Sequence, residues 1–245
     1  MALTTTACDQ AASFDDLPEI VITASDYSFA APRSAEGGLV RVTLDNQGAE
    51  THQVELVRVV DGHEPDEIET AIRRRDVVAL NSMVIYHGGP NEVAPGSRGT
   101  VATQLDPGTY VLLCFVASPD GTLHVLRGMI AQIDIAPPES EVPARPPAFD
   151  ASVSLQDYRF EVTGDIGEGR QLVLVKNEGS EPHELRLSSG GRGAGGSSTI
   201  SPGSETWVEL NLESAPHSVF CYVPSEKQNG RLHIDLGMHT SITVP

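Results

Sequence analysis

This 245-residue chain has no run of 18 or more apolar residues, so no segment is built to cross a bilayer as a helix. Aromatic residues are scarce at 5% and charged residues make up 20%, against 23 Gly and 17 Pro. That balance disfavours long amphipathic helices and suits many short strands joined by turns. Basic charge is scarce too. Sixteen Lys and Arg, only two of them Lys, face 34 Asp and Glu for a formal net charge of −18. Such a charge excludes nucleic acid and anionic membrane surfaces as electrostatic partners. The acid excess is either a solvated surface or one suited to a cationic partner. Cysteine is limited to Cys8, Cys114 and Cys221, and methionine to four residues with Met1 included.

What the sequence does have is an internal repeat. Asp26-Tyr27-x-Phe29 returns as Asp157-Tyr158-x-Phe160, and Asn46-x-Gly48-x-Glu50-x-His52 returns as Asn177-x-Gly179-x-Glu181-x-His183, all at one offset of 131 (157 − 26, 183 − 52). Pro95-Gly96-Ser97 matches Pro202-Gly203-Ser204 and Cys114 matches Cys221, both at 107 (202 − 95, 221 − 114). The second copy therefore lacks 131 − 107 = 24 residues, which fall between Asp61 and about Pro90 of the first. There Glu64-Pro65-Asp66-Glu67 followed by Ile68, Ala71 and Ile72 reads as the start and apolar stripe of one short inserted helix. His124-x-x-x-Gly128-Met129 returns as His233-x-x-x-Gly237-Met238.

Five prolines between Ala136 and Pro147 favour an extended spacer. The expected organisation is a mobile N-terminal segment (1–17), a first domain (18–135), a Pro-rich linker (136–149) and a second domain (150–245). Val40, Val42 and Leu44 alternate with polar residues, and Tyr110, Leu112 and Cys114 share a face, as His217, Val219 and Cys221 do. Period-two runs on both sides of a linker predict an all-β chain of two tandem Greek-key sandwiches, the first with the short inserted helix.

Each copy then offers two His, one Cys and one Met in the same order: His52, Cys114, His124 and Met129, then His183, Cys221, His233 and Met238. Two imidazoles, a thiolate and a weak thioether are the donors of a blue copper centre, because sulfur suits Cu(I) and imidazole serves both oxidation states. Zinc fits the same ligands less well, since thioether favours copper. A Cys114–Cys221 disulfide is disfavoured, because equivalent interior positions of separate domains do not meet. His217 is read as a core residue or a support to the site, and His63, His87 and His239 as surface residues.

These motifs resemble the ligand motifs of the cupredoxin family, and the His-x-x-x-Gly-Met ending is similar to the type 1 copper domain of nitrite reductases and multicopper oxidases. The inserted helix, Gly88-Gly89-Pro90 and Cys114-Phe115-Val116 resemble a group of bacterial cupredoxin-like proteins. The resemblance implies two copper ions, one per domain. It also implies His ligands for a further copper in the enzymes, one of them directly before the Cys, where this chain has Leu113 and Phe220; no His-x-His occurs either. The expected function is therefore electron transfer without enzymatic turnover. The alternatives are copper capture or delivery without redox work, and a metal-free interaction module. A cationic redox protein is the expected partner and an oxidising, extracytoplasmic compartment the expected location. Leu3 to Cys8 looks like the tail of a bacterial lipoprotein signal, which would place a lipid anchor on Cys8.

Overall fold

A computed structural model describes residues 13–139 and 144–245. Cys8 and its expected lipid anchor lie outside the described residues, as do 140–143 of the expected linker. The first half contributes β1 (Glu19–Ser25), β2 (Ser28–Ala30), β3 (Ser34–Glu36), β4 (Gly38–Asn46), β5 (Glu55–Val59), α1 (Pro65–Arg74), α2 (Val77–Met83), β6 (Val84–Tyr86), β7 (Arg98–Leu105), β8 (Gly108–Leu113) and β9 (Ile130–Ala136). The second contributes β10 (Ala151–Gln156), β11 (Arg159–Thr163), β12 (Gly169–Asn177), β13 (His183–Ser189), β14 (Arg192–Ile200), β15 (Glu205–Leu212), β16 (Pro216–Phe220) and β17 (His239–Thr243). Among the described residues no helix is long and apolar enough to cross a membrane.

Each half is a two-layer sandwich. In the first, β2-β1-β4-β7 faces β3-β9-β8-β5-β6; in the second, β11-β10-β12-β15 faces β14-β13-β16-β17. The period-two pattern buries Ile22, Val42, Leu44, Tyr110, Leu112 and Cys114 of the first half and Leu155, Val173, Val175, Leu185, Val219 and Cys221 of the second in one continuous cluster.

The insertion folds into two helices rather than the one expected. Pro65 opens α1, and Glu64 and Glu67 cap it reciprocally; the helix stops where Arg75 turns left-handed at φ 55°. Asp76 then starts α2 by accepting the Ala79 N–H at 3.0 Å. Ile68, Ala71, Ile72 and Met83 lie over Val57, Val111 and Leu113, the outer face of the first domain's five-stranded sheet.

The two sandwiches are not separate beads. Strand β15 pairs antiparallel with β7 through Thr206–Thr103, Trp207–Ala102 and Val208–Val101, so four strands from each half form one eight-stranded sheet. A second junction runs along Tyr86–Asn91 and Gly196–Ser201, where Gly88 N–H donates to Thr199 O and Ser198 N–H to Gly89 O, both at 2.8 Å. Gly89 is required there, because its φ is +135° and a Cβ would strike the Val54 carbonyl. The residues expected to be a mobile lead-in are partly packed. Phe14 and Leu17 are buried with Leu39 and Ala102 of the first half and Leu174 and Trp207 of the second. That cover explains why β4 buries both of its faces instead of alternating.

Candidate metal centres

In each half the candidate ligands arrive from three places at one end of the sandwich. His52 sits on the loop after β4 and is held to Val93 by backbone hydrogen bonds in both directions, 3.1 and 2.9 Å. Cys114 directly follows β8. His124 opens a single turn (His124–Arg127) that Gly128 closes in the left-handed region at φ 97°, and Met129 returns its N–H to His124 O at 3.0 Å. In the second half His183 begins β13, Cys221 follows β16, and His233–Leu236, Gly237 at φ 106° and Met238 repeat the turn. The ring is closed by Val125 N–H to Cys114 O at 2.8 Å in one half and by Cys221 N–H to Met238 O at 3.2 Å in the other. The loop from Cys to His is two residues longer in the second half (233 − 221 = 12 against 124 − 114 = 10), and the arrangement is the same.

The donor atoms converge. His52 Nδ1 and His124 Nδ1 are 3.0 Å apart, with Cys114 Sγ 3.9 and 3.5 Å from them. His183 Nδ1 and His233 Nδ1 are 2.9 Å apart, with Cys221 Sγ 3.4 Å from His233 Nδ1. His52, Cys114, His124, Met129 and their counterparts are all 0% exposed. The two Met side chains belong to the same buried core as the Cys residues.

The far side of each ring explains the repeat. His52 Nε2 meets Asp26 Oδ1 at 3.2 Å, His124 Nε2 meets Glu50 Oε2 at 2.9 Å, and His183 Nε2 meets Asp157 Oδ1 at 3.2 Å. With the Nε2–H donated to a carboxylate, Nδ1 is left as a lone pair among the other donor atoms. Tyr27 and Tyr158, both left-handed at φ 66° and 67°, donate their hydroxyls to Glu50 and Glu181 at 2.9 and 2.8 Å. Asn46 and Asn177 clamp the loop by donating to the carbonyls of Glu50 and Glu181, both at 2.9 Å. Glu181 stands 3.8 Å from His233 Nε2, too far for a hydrogen bond, and that nitrogen is buried without a partner.

Electrostatics favour a cation here. The hydrogen bonds from His124 and Tyr27 hold Glu50 below the usual carboxylate range. Burial works against the charged form of Asp26, but the N–H groups of Glu50 and Ala49, together with His52, outweigh it and lower its pKa. Burial depresses His52 and His183, and takes His233 down to about 4. Burial also pushes the Cys114 thiol up to about 12 and raises that of Cys221. Two neutral Nδ1 lone pairs at 3.0 Å repel unless a proton or metal ion lies between them, and a bound metal is what makes a buried thiol ionise. The donor set fits copper at both places. Each half is thus a two-layer β-sandwich with a buried His-Cys-His group at one end.

No protein-family model and no curated protein sequence matches the chain. Among solved structures it is similar to a dithionite-reduced auracyanin from the photosynthetic bacterium Roseiflexus castenholzii: 23% identity over 52% of this chain and 99% of that one, TM-score 0.34. It is also similar to a multicopper oxidase, at 15% identity over 93% of this chain and 88% of that one, TM-score 0.27. A copper nitrite reductase from Nitrosomonas europaea gives 15% identity over 93% of each chain, TM-score 0.27. These names include enzymes and a protein not named as one.

The structure corrects several readings of the sequence. His124 and His233, although on loops at the end of a sandwich, have fully buried rings, with Glu50 and Glu181 behind their Nε2 atoms. His87 is partly buried rather than a free surface residue: its Nδ1–H donates to Gln104 O at 2.8 Å and its ring packs on Tyr110. His217 is a core residue, 2% exposed, with Nε2–H on Glu213 O at 3.0 Å. His239 is exposed, and His63 is partly exposed beside Glu67. Cys114 and Cys221 are both free. Sequence reasoning missed Asp26, Glu50, Tyr27 and their counterparts as supports, although the repeat had printed each of them twice.

Proposed function

We propose that this chain binds one copper ion in each half, through His52, Cys114, His124 and Met129 and through His183, Cys221, His233 and Met238, and carries single electrons. The observation behind this reading is the pair of buried His-Cys-His groups, three of whose four imidazoles are oriented by carboxylates. When bound, copper supplies a one-electron couple, and a donor set fixed from behind keeps reorganisation small. Burial of every donor argues against capture and delivery, since hand-over needs an accessible ligand. Leu113 and Phe220 before the Cys residues, and the absence of His-x-His, support a carrier over an oxidase or a nitrite reductase.

A cationic redox protein is the partner that a net charge of −18 favours, at rates that fall as salt is raised. With the imidazoles covered, Tyr222, 42% exposed and next to Cys221, is the approach we assign to it. An oxidising compartment outside the cytoplasm is the location this reading implies, because bound metal protects the two thiols there.

Metal analysis with an optical spectrum of the oxidised protein tests the reading. The expected result is two coppers and an intense thiolate charge-transfer band, with Cys114→Ser and Cys221→Ser each removing one copper. A single copper lost in both variants would mean a shared site. Rapid turnover of oxygen or nitrite would make the chain an enzyme, and copper that cannot be cycled would remove the electron-carrier role.

A further inference from the structure

Because the halves repeat, each contact at their junction has an equivalent place across it. Glu184, after His183, corresponds to Gln53, after His52; Asn91 corresponds to Ser198. At one of these two places Asn91 Nδ2 donates to Glu184 Oε2 at 3.1 Å, with the two residues 1% and 4% exposed. At the other, Gln53 Oε1 and Ser198 Oγ are buried and have no partner. The crossing is made once, not twice.

Both of its ends lead to candidate copper ligands. The Glu184 backbone N–H points at Cys221 Sγ, 3.5 Å away. Asn91 lies two residues before Val93, whose N–H donates to the His52 carbonyl at 2.9 Å. Covalent bonds and three hydrogen bonds thus join His52 of the first half to Cys221 of the second, and the side chains along the way, His52, Asn91, Glu184 and Cys221, are all buried. Tunnelling falls off less steeply along such a line than across gaps between unbonded groups. Asn91 Nδ2 also donates to Ser197 O at 3.4 Å and Glu184 Oε1 accepts the Tyr222 N–H at 2.8 Å, which holds both ends of the crossing in place.

We propose that this line is an electron relay between the two copper centres, with Asn91 and Glu184 as the crossing between domains. The inference rests on the copper reading above. One electron passes: Cu(I) in one half is oxidised to Cu(II), and Cu(II) in the other is reduced to Cu(I). No bond forms or breaks and no proton leaves, so one end of the molecule can take an electron and the other give it up.

The test uses the full chain loaded with copper and a photochemically generated reductant supplying less than one electron per molecule. Single-site Cys114→Ser and Cys221→Ser chains provide the spectrum of each centre. Wild type is expected to show a first-order redistribution between the centres whose rate is independent of protein concentration. Asn91→Ser, which copies the residue at the equivalent place, slows that phase by an order of magnitude while copper content, both bands and both potentials hold. Glu184→Gln keeps the phase, because its amide pairs with a flipped Asn91 amide. Glu184→Ala breaks the crossing from the other side and serves if Asn91→Ser loses its fold. A readout without metal goes with these: in the copper-free chain the Asn91 side-chain amide protons exchange slowly by NMR. Fast exchange, a wild-type chain with no concentration-independent phase, or an Asn91→Ser chain as fast as wild type overturns the relay. A wild-type chain that binds no copper while its Asn91 amide is protected overturns the copper reading instead.

Discussion

Gly48 is small because two polar atoms claim the space a methyl would fill: a Cβ there would lie 2.5 Å from Asp26 Oδ1 and 2.7 Å from His52 Nε2. Gly179 is hemmed in the same way, with Asp157 Oδ1 and His183 Nε2 both at 2.6 Å. The repeated residues are thus parts of one device, a carboxylate behind each imidazole, and the sequence displayed them without their reason because hydrogen bonds between Asp26 or Glu50 and a distant His leave no local pattern. The device differs between the halves at one atom pair, 2.9 Å for His124 with Glu50 against 3.8 Å for His233 with Glu181. A carboxylate on Nε2 makes the imidazole more basic and favours Cu(II). Glu50→Gln should therefore raise the potential of the first centre, and Glu181→Gln should move that of the second less, as read by optical redox titration in the single-site Cys221→Ser and Cys114→Ser chains; equal shifts would mean the two carboxylates act alike. At the junction, burial raises Glu55 well above the usual carboxylate range despite its bonds from Thr199. The folded state then holds more protons than the unfolded one above the unfolded pKa, so this group costs stability as pH rises from there towards its folded pKa. Glu55→Gln should match wild type below about pH 4 and be increasingly more stable above it in urea unfolding, since a model glutamate titrates near 4.3; a pH-independent difference would show that the carboxyl ionises when folded.

Elements carry the ligands to one place, and here the sequence was informative where spacing is short. The identical His-x-x-x-Gly-Met endings became identical turns, because the residue after His124–Arg127 and after His233–Leu236 must be left-handed to reverse the chain into the next strand. Gly128→Ala puts a Cβ at φ 97° and should cost about 1–3 kcal/mol in thermal or urea unfolding. The accompanying shift of Met129 should change the position or intensity of the visible band. An unchanged stability and spectrum would mean the turn relaxes without moving the Met. The inserted segment was harder to read. Its apolar stripe gave α1, whereas the break at Arg75 rests on a single left-handed residue and the Asp76 cap, signals too slight to divide one helix into two from sequence alone.

The whole molecule is where sequence reading stopped, because pairing between β7 and β15 and the covering of that seam depend on residues a hundred positions apart. A Pro-rich spacer suggested independent beads, yet the halves share an eight-stranded sheet. Across the outside of that sheet lie residues 13–17. Phe14 and Leu17 pack on Leu39 and Ala102 from one half and on Leu174 and Trp207 from the other, while Asp15 pairs with Arg41 of the first half at 3.5 Å and Arg170 of the second at 2.6 Å. Asp15 is exposed in both ion pairs, which therefore contribute little, so the apolar contacts hold the segment down. Trp207 is the chain's only tryptophan and is 4% exposed, which makes its emission a direct report on the seam. Replacing Phe14 and Leu17 together by Ala should shift that emission to the red and lower stability by about 3–5 kcal/mol, the scale for deleting buried apolar side chains when the site is partly able to collapse. Both copper centres should stay loaded, since neither Phe14 nor Leu17 lies in the core that holds the ligands. Emission and stability unchanged from wild type would show that the segment rests on the sheet without fastening it, whereas loss of copper would show that the seam and the centres unfold as one unit.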